Sequence, residues 1–174
     1  MFDQIKPLRK QVLREANKKL RRCEQEKRFR PTAAIVIKHR GTGKFLIIYG
    51  TPEGDVLNPG LVKGGVHQGE SLLTAARREI REEIGLLAKT VAITGLGGCK
   101  RVHSLKKTEG FDEKLYFVLF AETDEFELKV DRVEVTDYRW CDRSEVEGVL
   151  EPLRSNRLSK WRLLTKVFRM IPTE

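Results

Sequence analysis

A glycine-rich loop runs directly into a helix that carries three glutamates, between residues 64 and 86. Residues 71–84 have the spacing of an amphipathic helix, and Gly85 suits its left-handed end. On that helix Glu79, Glu82 and Glu83 stand at i, i+3 and i+4, so they share one face. A neighbouring apolar stripe should face the core, and it consists of Leu73, Ala76, Ile80 and Ile84. The segment therefore predicts an acidic wall on a core-packed helix.

These carboxylates repel one another by a few tenths of a kcal/mol per pair even in water, so the pattern calls for positive charge. Carboxylate oxygens are hard ligands that suit Mg²⁺ or Mn²⁺, and no His-rich or Cys-rich set favours Zn²⁺. The loop glycines can bring backbone amides or carbonyls close to an ion or a phosphate. We expect Arg78 to bridge Glu70 and Glu82 and so to hold the ligand set in place.

An ordinary surface helix, with glutamates paired to Arg77, Arg78 and Arg81, would explain the helix alone but not the loop. The whole segment matches G-x5-E-x7-R-E-U-x-E-E-x-G-U, where U is bulky and aliphatic, and such a match arises by chance at roughly one position in a billion. The fixed positions are Gly64, Glu70, Arg78, Glu79, Ile80, Glu82, Glu83, Gly85 and Leu86. The segment is identified as the signature of the Nudix hydrolases, and the surrounding strands resemble that family's domain over residues 31–152.

The resemblance implies an α/β fold, an α/β/α sandwich with a central mixed sheet, to which this chain adds N-terminal and C-terminal helices. It also implies divalent-metal-dependent hydrolysis of a diphosphate linkage in a nucleoside diphosphate joined to another group. By match with the motif, Glu79, Glu82 and Glu83 would be metal ligands, with the carbonyl of Gly64 as a further candidate. Glu70 and Arg78 would be the orienting pair, beside the reaction centre.

The metal would neutralise the diphosphate and lower the pKa of a bound water, whose proton one carboxylate then accepts. We expect this acceptor to be Glu79 or Glu83. The alternatives are acids in loops, namely Glu134, Glu109, Asp112 and Glu113.

The substrate is less constrained than the reaction. Lys63, Gly64 and Gly65 resemble the loop of members that act on dinucleoside polyphosphates or diphosphoinositol polyphosphates, which makes these three residues candidates for substrate binding. A basic group in an expected loop would suit a highly charged ligand, and it comprises Lys100, Arg101, His103, Lys106 and Lys107. Candidate substrates are a dinucleoside polyphosphate, a nucleoside triphosphate or a 5′-phosphorylated RNA end. The alternative is a Nudix-fold regulator that binds a nucleotide or nucleic acid without catalysis.

Charge divides the chain of 174 residues into three parts. Residues 1–30 carry +7 and residues 154–174 carry +5, which leaves −3 for the middle within a net charge of +9. We expect a basic amphipathic N-terminal helix within residues 1–30, the Nudix domain at 31–152, and a basic C-terminal helix at 153–174 that packs on the same domain. The basic ends favour a polyanion, although solvated helix faces or a homodimer contact would explain them as well.

Local patterns predict the remaining elements. The first helix should span 7–28 and end at Pro31, and a hairpin should join strands 33–37 and 45–49. Asn58-Pro59-Gly60 predicts a turn. Further strands are expected near 89–102, 114–122 and 134–141, and further helices at 143–151 and 157–170. Three widely spaced cysteines, with no signal peptide and no membrane span, favour the reducing cytoplasm.

Overall fold

The computed structural model describes residues 5–26, 29–53, 56–108 and 111–171. Its five helices and eight strands in the described residues are β1 (Lys6–Pro7), α1 (Lys10–Glu26), β2 (Phe29–His39), β3 (Phe45–Glu53), β4 (Val56–Gly60), β5 (Val62–Gly65), α2 (Leu72–Ile84), β6 (Val91–Thr108), β7 (Phe111–Thr123), β8 (Val135–Cys141), α3 (Val146–Leu150), α4 (Pro152–Asn156) and α5 (Leu158–Arg169).

One mixed sheet organises the chain. The strand order is β1-β6-β7-β2-β3-β4, with β5 paired to β2 and β8 paired to β3. The central strand β2 runs parallel to β7 but antiparallel to β3 and β5. Its apolar run from Ala33 to Ile37 is buried throughout, which suits a strand covered on both faces.

Successive residues of β2 face opposite layers, as the two-residue period of a strand requires. Ala33 and Ile35 join the apolar cluster of α1 and α2, whereas Ala34 and Val36 join the cluster of α3 and α5. The sheet therefore lies between two helical layers, and the predicted mixed α/β fold is confirmed. No helix among the described residues is long and apolar enough to cross a bilayer.

Three local predictions are wrong. Asn58-Pro59-Gly60 forms no turn but belongs to β4, where Pro59 pairs with Tyr49. The edge position of β4 tolerates a residue without an N–H group. The first helix ends at Glu26, and Pro31 lies inside β2. The predicted basic loop is part of the long strand β6, because β6 continues its pairing with β7 as far as Thr108.

Candidate active site

Local capping and apolar packing fix the position of α2. The Ser71 side chain accepts a hydrogen bond of 3.1 Å from the backbone N–H of Thr74, and Asn17 of α1 accepts one of 3.1 Å from that of Leu72. Gly85 ends the helix with φ of 72°, as its sequence position predicts. The predicted apolar stripe contacts the core, with Ala76, Ile80 and Ile84 fully buried and Leu73 partly buried. The glutamates are thereby held at one edge of the sheet.

Arg78 connects the loop to the acidic face of α2. Its guanidinium group donates to Glu70 at 3.1 and 3.0 Å, to Glu82 at 3.1 Å and to the carbonyl of Gly65 at 2.8 Å, and it also pairs with Glu79. The expected contacts of Arg78 with Glu70 and Glu82 are both present. Burial by itself would raise the pKa of Glu70, yet hydrogen bonds from Arg78 and the His67 N–H hold that pKa below its usual value.

Two of the three glutamates are buried. Glu79 is 6% exposed and Glu83 is 3% exposed, whereas half of the Glu82 side chain is exposed. Burial raises the pKa of Glu79, and it raises the pKa of Glu83 to about 7, although the backbone N–H of Lys63 donates to Glu83 at 3.0 Å. An ionised carboxylate raises the free-energy cost of ionising its neighbour. The pair therefore favours a nearby cation.

Gly64 lies directly against this acidic pair. A Cβ atom at residue 64 would overlap the carboxylate of Glu79, so a larger residue there requires that carboxylate to move. Gly64 and Gly65 lie in β5, opposite Ala33 and Thr32, and they do not form the flexible loop that the sequence suggested. Pairing with β2 makes this glycine backbone a fixed wall of the site. Gly69, which follows in the glycine-rich segment, lies in a turn with φ of 77°.

The donor atoms at this edge fit a hard divalent cation. They are the buried carboxylates of Glu79 and Glu83, with the Gly64 backbone in contact with the first. Glu82 turns toward Arg78, and over the described part of the chain no three His, Cys, Asp or Glu side chains converge closely enough to form a complete ligand set. Arg78 therefore neutralises part of the acidic charge in this arrangement.

The NUDIX domain model matches residues 28–163. The chain belongs to the NUDIX family. The match runs beyond the predicted boundary at residue 152 and includes the first half of α5. The predicted Nudix hydrolase is thereby confirmed at the level of the family.

Solved structures support the same fold. The dihydroneopterin triphosphate pyrophosphohydrolase of E. coli is 17% identical, with a TM-score of 0.57 over 70% of this chain and 87% of that one. A C. elegans Ap4A hydrolase in a binary complex is 17% identical, with a TM-score of 0.54 over 79% of this chain and 98% of that one. The Nudix hydrolase RenU of M. smegmatis is 19% identical, with a TM-score of 0.55 over 84% of this chain and 89% of that one. A search of the curated proteins found no match.

The alternative proton acceptors of this Nudix hydrolase occupy different places. Glu134 is exposed just before β8, and its charge contributes to the raised pKa values of both Glu79 and Glu83. Glu113 lies in β7 opposite Phe29. Glu109 and the side chain of Asp112 lie outside the described residues, as do the side chains of His103, Lys106 and Lys107. Glu134 is thus the loop acid that the fold brings toward the acidic pair.

The sequence pattern does not identify two residues near this edge, Lys160 and Asn58, as parts of a site. Lys160 of α5 donates from its Nζ atom to the Oδ1 atom of Asn58 in β4 at 2.7 Å. Lys160 stands three and four residues before the buried Leu163 and Leu164, so its helical position already placed it on the inward face. The pairing with Asn58 joins distant parts of the chain, and no local pattern predicts it.

A separate groove of about 1070 Å³ lies along α1, and none of Glu79, Glu82 and Glu83 lines it. Basic residues of α1 line it together with Arg101, whose guanidinium lies 4.5 Å from the centre of the Phe29 ring. The lining residues from α1 with positive charge are Lys18, Lys19, Arg21 and Arg22. Glu15 and Glu26 also line the groove, so it is a mixed but mainly basic surface, distinct from the edge that carries Glu79 and Glu83.

Proposed function

We propose that this Nudix hydrolase cleaves a phosphoanhydride bond in a nucleoside diphosphate joined to another group, and that it requires Mg²⁺ or Mn²⁺. The observation that carries the proposal is the buried pair Glu79 and Glu83 beside the side-chain-free backbone of Gly64. Arg78 neutralises only part of this buried negative charge, and a divalent ion would neutralise the rest.

Glu79, Glu82 and Glu83 are the proposed metal ligands, with the Gly64 carbonyl as a further donor. The bound ion would neutralise the phosphates and lower the pKa of a coordinated water. Arg78 positions the ligands, because it ties Glu79 and Glu82 to Glu70 and to the carbonyl of Gly65.

The proton acceptor is proposed to be Glu79 or Glu83. The backbone N–H of Lys63 fixes one oxygen of Glu83, whereas Glu79 is already paired with Arg78. Exposed Glu134 is the alternative acceptor. The pH dependence of activity in Glu134→Gln distinguishes these assignments, since loss of the acceptor removes the rise of activity through the acceptor's pKa on the acidic side of the profile.

Polyphosphates are the proposed substrate class: a dinucleoside polyphosphate, a nucleoside triphosphate or a 5′-phosphorylated RNA end. The net charge of +9 supports a strongly anionic substrate. The fold it shares with an Ap4A hydrolase and a dihydroneopterin triphosphate pyrophosphohydrolase is consistent with that class. An RNA end would place its following nucleotides on a basic surface such as the groove along α1.

Three free cysteines support a cytoplasmic location, because such thiols persist in a reducing compartment. A homodimer through the terminal helices is compatible with catalysis. Gel filtration at low and high salt tests this contact, since a dimer held by apolar surface keeps its elution volume when salt is raised.

The deciding experiment is a panel of diphosphate and polyphosphate substrates with Mg²⁺ or Mn²⁺, comparing wild type with Glu82→Gln and Glu83→Gln. Both variants should stay folded and lose turnover by about two or more orders of magnitude. Glu147→Gln is the matched control, because Glu147 is exposed and paired with Arg169 on another helix. Unchanged turnover in either site variant refutes the ligand assignment, and nucleotide binding without any turnover supports the regulator instead.

A further inference from the structure

The C-terminal helix α5 delivers a lysine to the catalytic edge of the sheet. The Nζ atom of Lys160 donates to Oδ1 of Asn58 at 2.7 Å. The same ammonium group lies close to the backbone of Gly60, where a Cβ atom would approach it to 3.1 Å. Lys160 is therefore held between α5 and β4 by a neutral amide, which leaves its charge available to an anion.

A second lysine reaches the same place from β5. Lys63 and Lys160 line one cavity between the sheet and α5. Burial, followed by the charges of Lys63 and Arg157, lowers the pKa of Lys160 to about 7, and the carboxylate of Glu83 opposes this more weakly. The electrostatic repulsion between these positive groups decreases when an anion binds between them.

The cavity itself is too small for a phosphate. Its volume is about 20 Å³, close to that of one water, and its walls include the buried side chains of Leu61, Val118 and Leu163. Lys63 and Lys160 are both partly exposed. An anion would accordingly contact the two ammonium groups at the rim of the cavity.

This rim adjoins the acidic pair. The backbone N–H of Lys63 donates to Glu83, while the Lys63 side chain lines the cavity on the α5 side of the sheet. A phosphate at the rim and the Glu83 carboxylate would therefore lie on either side of the β5 backbone at Lys63.

We propose that Lys160, together with Lys63, binds a phosphate of the substrate beyond the diphosphate that is cleaved, so that the enzyme prefers chains of three or more phosphates. This inference rests on the proposed function and makes Lys160 a specificity-determining residue. It assigns to the C-terminal helix a direct part in substrate choice.

Binding of inorganic tripolyphosphate, measured by calorimetry in the presence of EDTA, tests the site without turnover. Lys160→Gln should raise the Kd by about tenfold. The matched control is Lys166→Gln, which removes the same charge from an exposed position of the same helix and should change the Kd by less than about twofold. Equal weakening in both variants, or none in Lys160→Gln, overturns the proposal.

Asn58→Asp provides an independent variant that keeps Lys160 in place. A carboxylate at residue 58 would pair with the ammonium group and compete with the phosphate, so tripolyphosphate should again bind about tenfold more weakly. Unchanged binding in a folded Asn58→Asp protein contradicts the proposed contact.

Turnover separates this inference from the proposed function. With Mg²⁺, Lys160→Gln should raise the KM for a nucleoside tetraphosphate by more than it raises the KM for ADP-ribose, which has two phosphates. Equal rises contradict a subsite for a further phosphate. If wild type turns over neither substrate, the proposed function fails, while the tripolyphosphate measurement still decides whether the lysines form an anion site.

Discussion

The guanidinium group of Arg78 and the carboxylate of Glu70 form two parallel hydrogen bonds, of 3.1 and 3.0 Å. This geometry uses the planar fork of arginine, and the remaining N–H groups reach Glu82 and the carbonyl of Gly65. One side chain thus connects the loop, β5 and the acidic face of α2.

Arg78→Lys should therefore impair the enzyme although it preserves the charge. An ammonium group cannot form the paired contacts with Glu70 while also reaching Gly65 and Glu82. We expect activity to fall by about 10- to 100-fold, and the free energy of unfolding to fall by about 1–3 kcal/mol, measured by turnover and urea denaturation. Arg81→Lys, at an exposed position of the same helix, should change stability by less than about 0.5 kcal/mol. Equal behaviour of the two variants would remove Arg78 from its positioning role.

Gly64→Ala should damage both stability and activity. The new Cβ atom would overlap the Glu79 carboxylate, so that buried side chain must leave its position beside Arg78, at about 1–3 kcal/mol. The control is Gly148→Ala in α3, where a Cβ atom meets nothing within 4 Å and alanine should leave stability unchanged or raise it. Thermal melting and turnover compare the two variants. A stable and active Gly64→Ala protein would show that the close approach to Glu79 is not required.

The part of the site that sequence could predict is the part that local rules determine. The period of α2, its end at Gly85 and the contacts of Arg78 all follow from spacing within one segment. The buried state of Glu79 and Glu83 follows less directly, because it also depends on the sheet that α2 covers.

Long-range pairing accounts for the wrong or missing predictions. Pro59 has the local chemistry of a turn, yet pairing with Tyr49 keeps it in an edge strand. Likewise, the length of β6 depends on its partner β7, and the contact of Lys160 with Asn58 depends on how α5 packs. Tertiary contacts of this kind override local preference.

Lys160 should give the protein a distinctive pH dependence of stability. Its pKa is about 7 in the folded chain and near the ordinary value of 10.5 when unfolded. Between these values the unfolded state binds more protons than the folded state, so this group makes stability rise with pH. The test is the difference in stability between wild type and Lys160→Met, measured by thermal melting without metal. This difference should shift in favour of the wild type as the pH rises from about 6 to about 9. A stability difference that falls over this range would contradict the assigned direction of the Lys160 pKa shift.

Phe168 tests whether the C-terminal helix is part of the same folding unit as the sheet. Its ring is fully buried and lies 5.6 Å from that of Phe45 in an edge-to-face arrangement. Phe168→Ala should lower the free energy of unfolding by about 3–5 kcal/mol. Leu158→Ala, at an exposed position of the same helix, should cost less than about 1 kcal/mol.

Urea denaturation followed by tryptophan fluorescence and by circular dichroism should give one coincident transition in the wild type. A separate early transition would mean that α5 unfolds on its own, and Lys160 would then leave the catalytic edge while the acidic pair stayed folded.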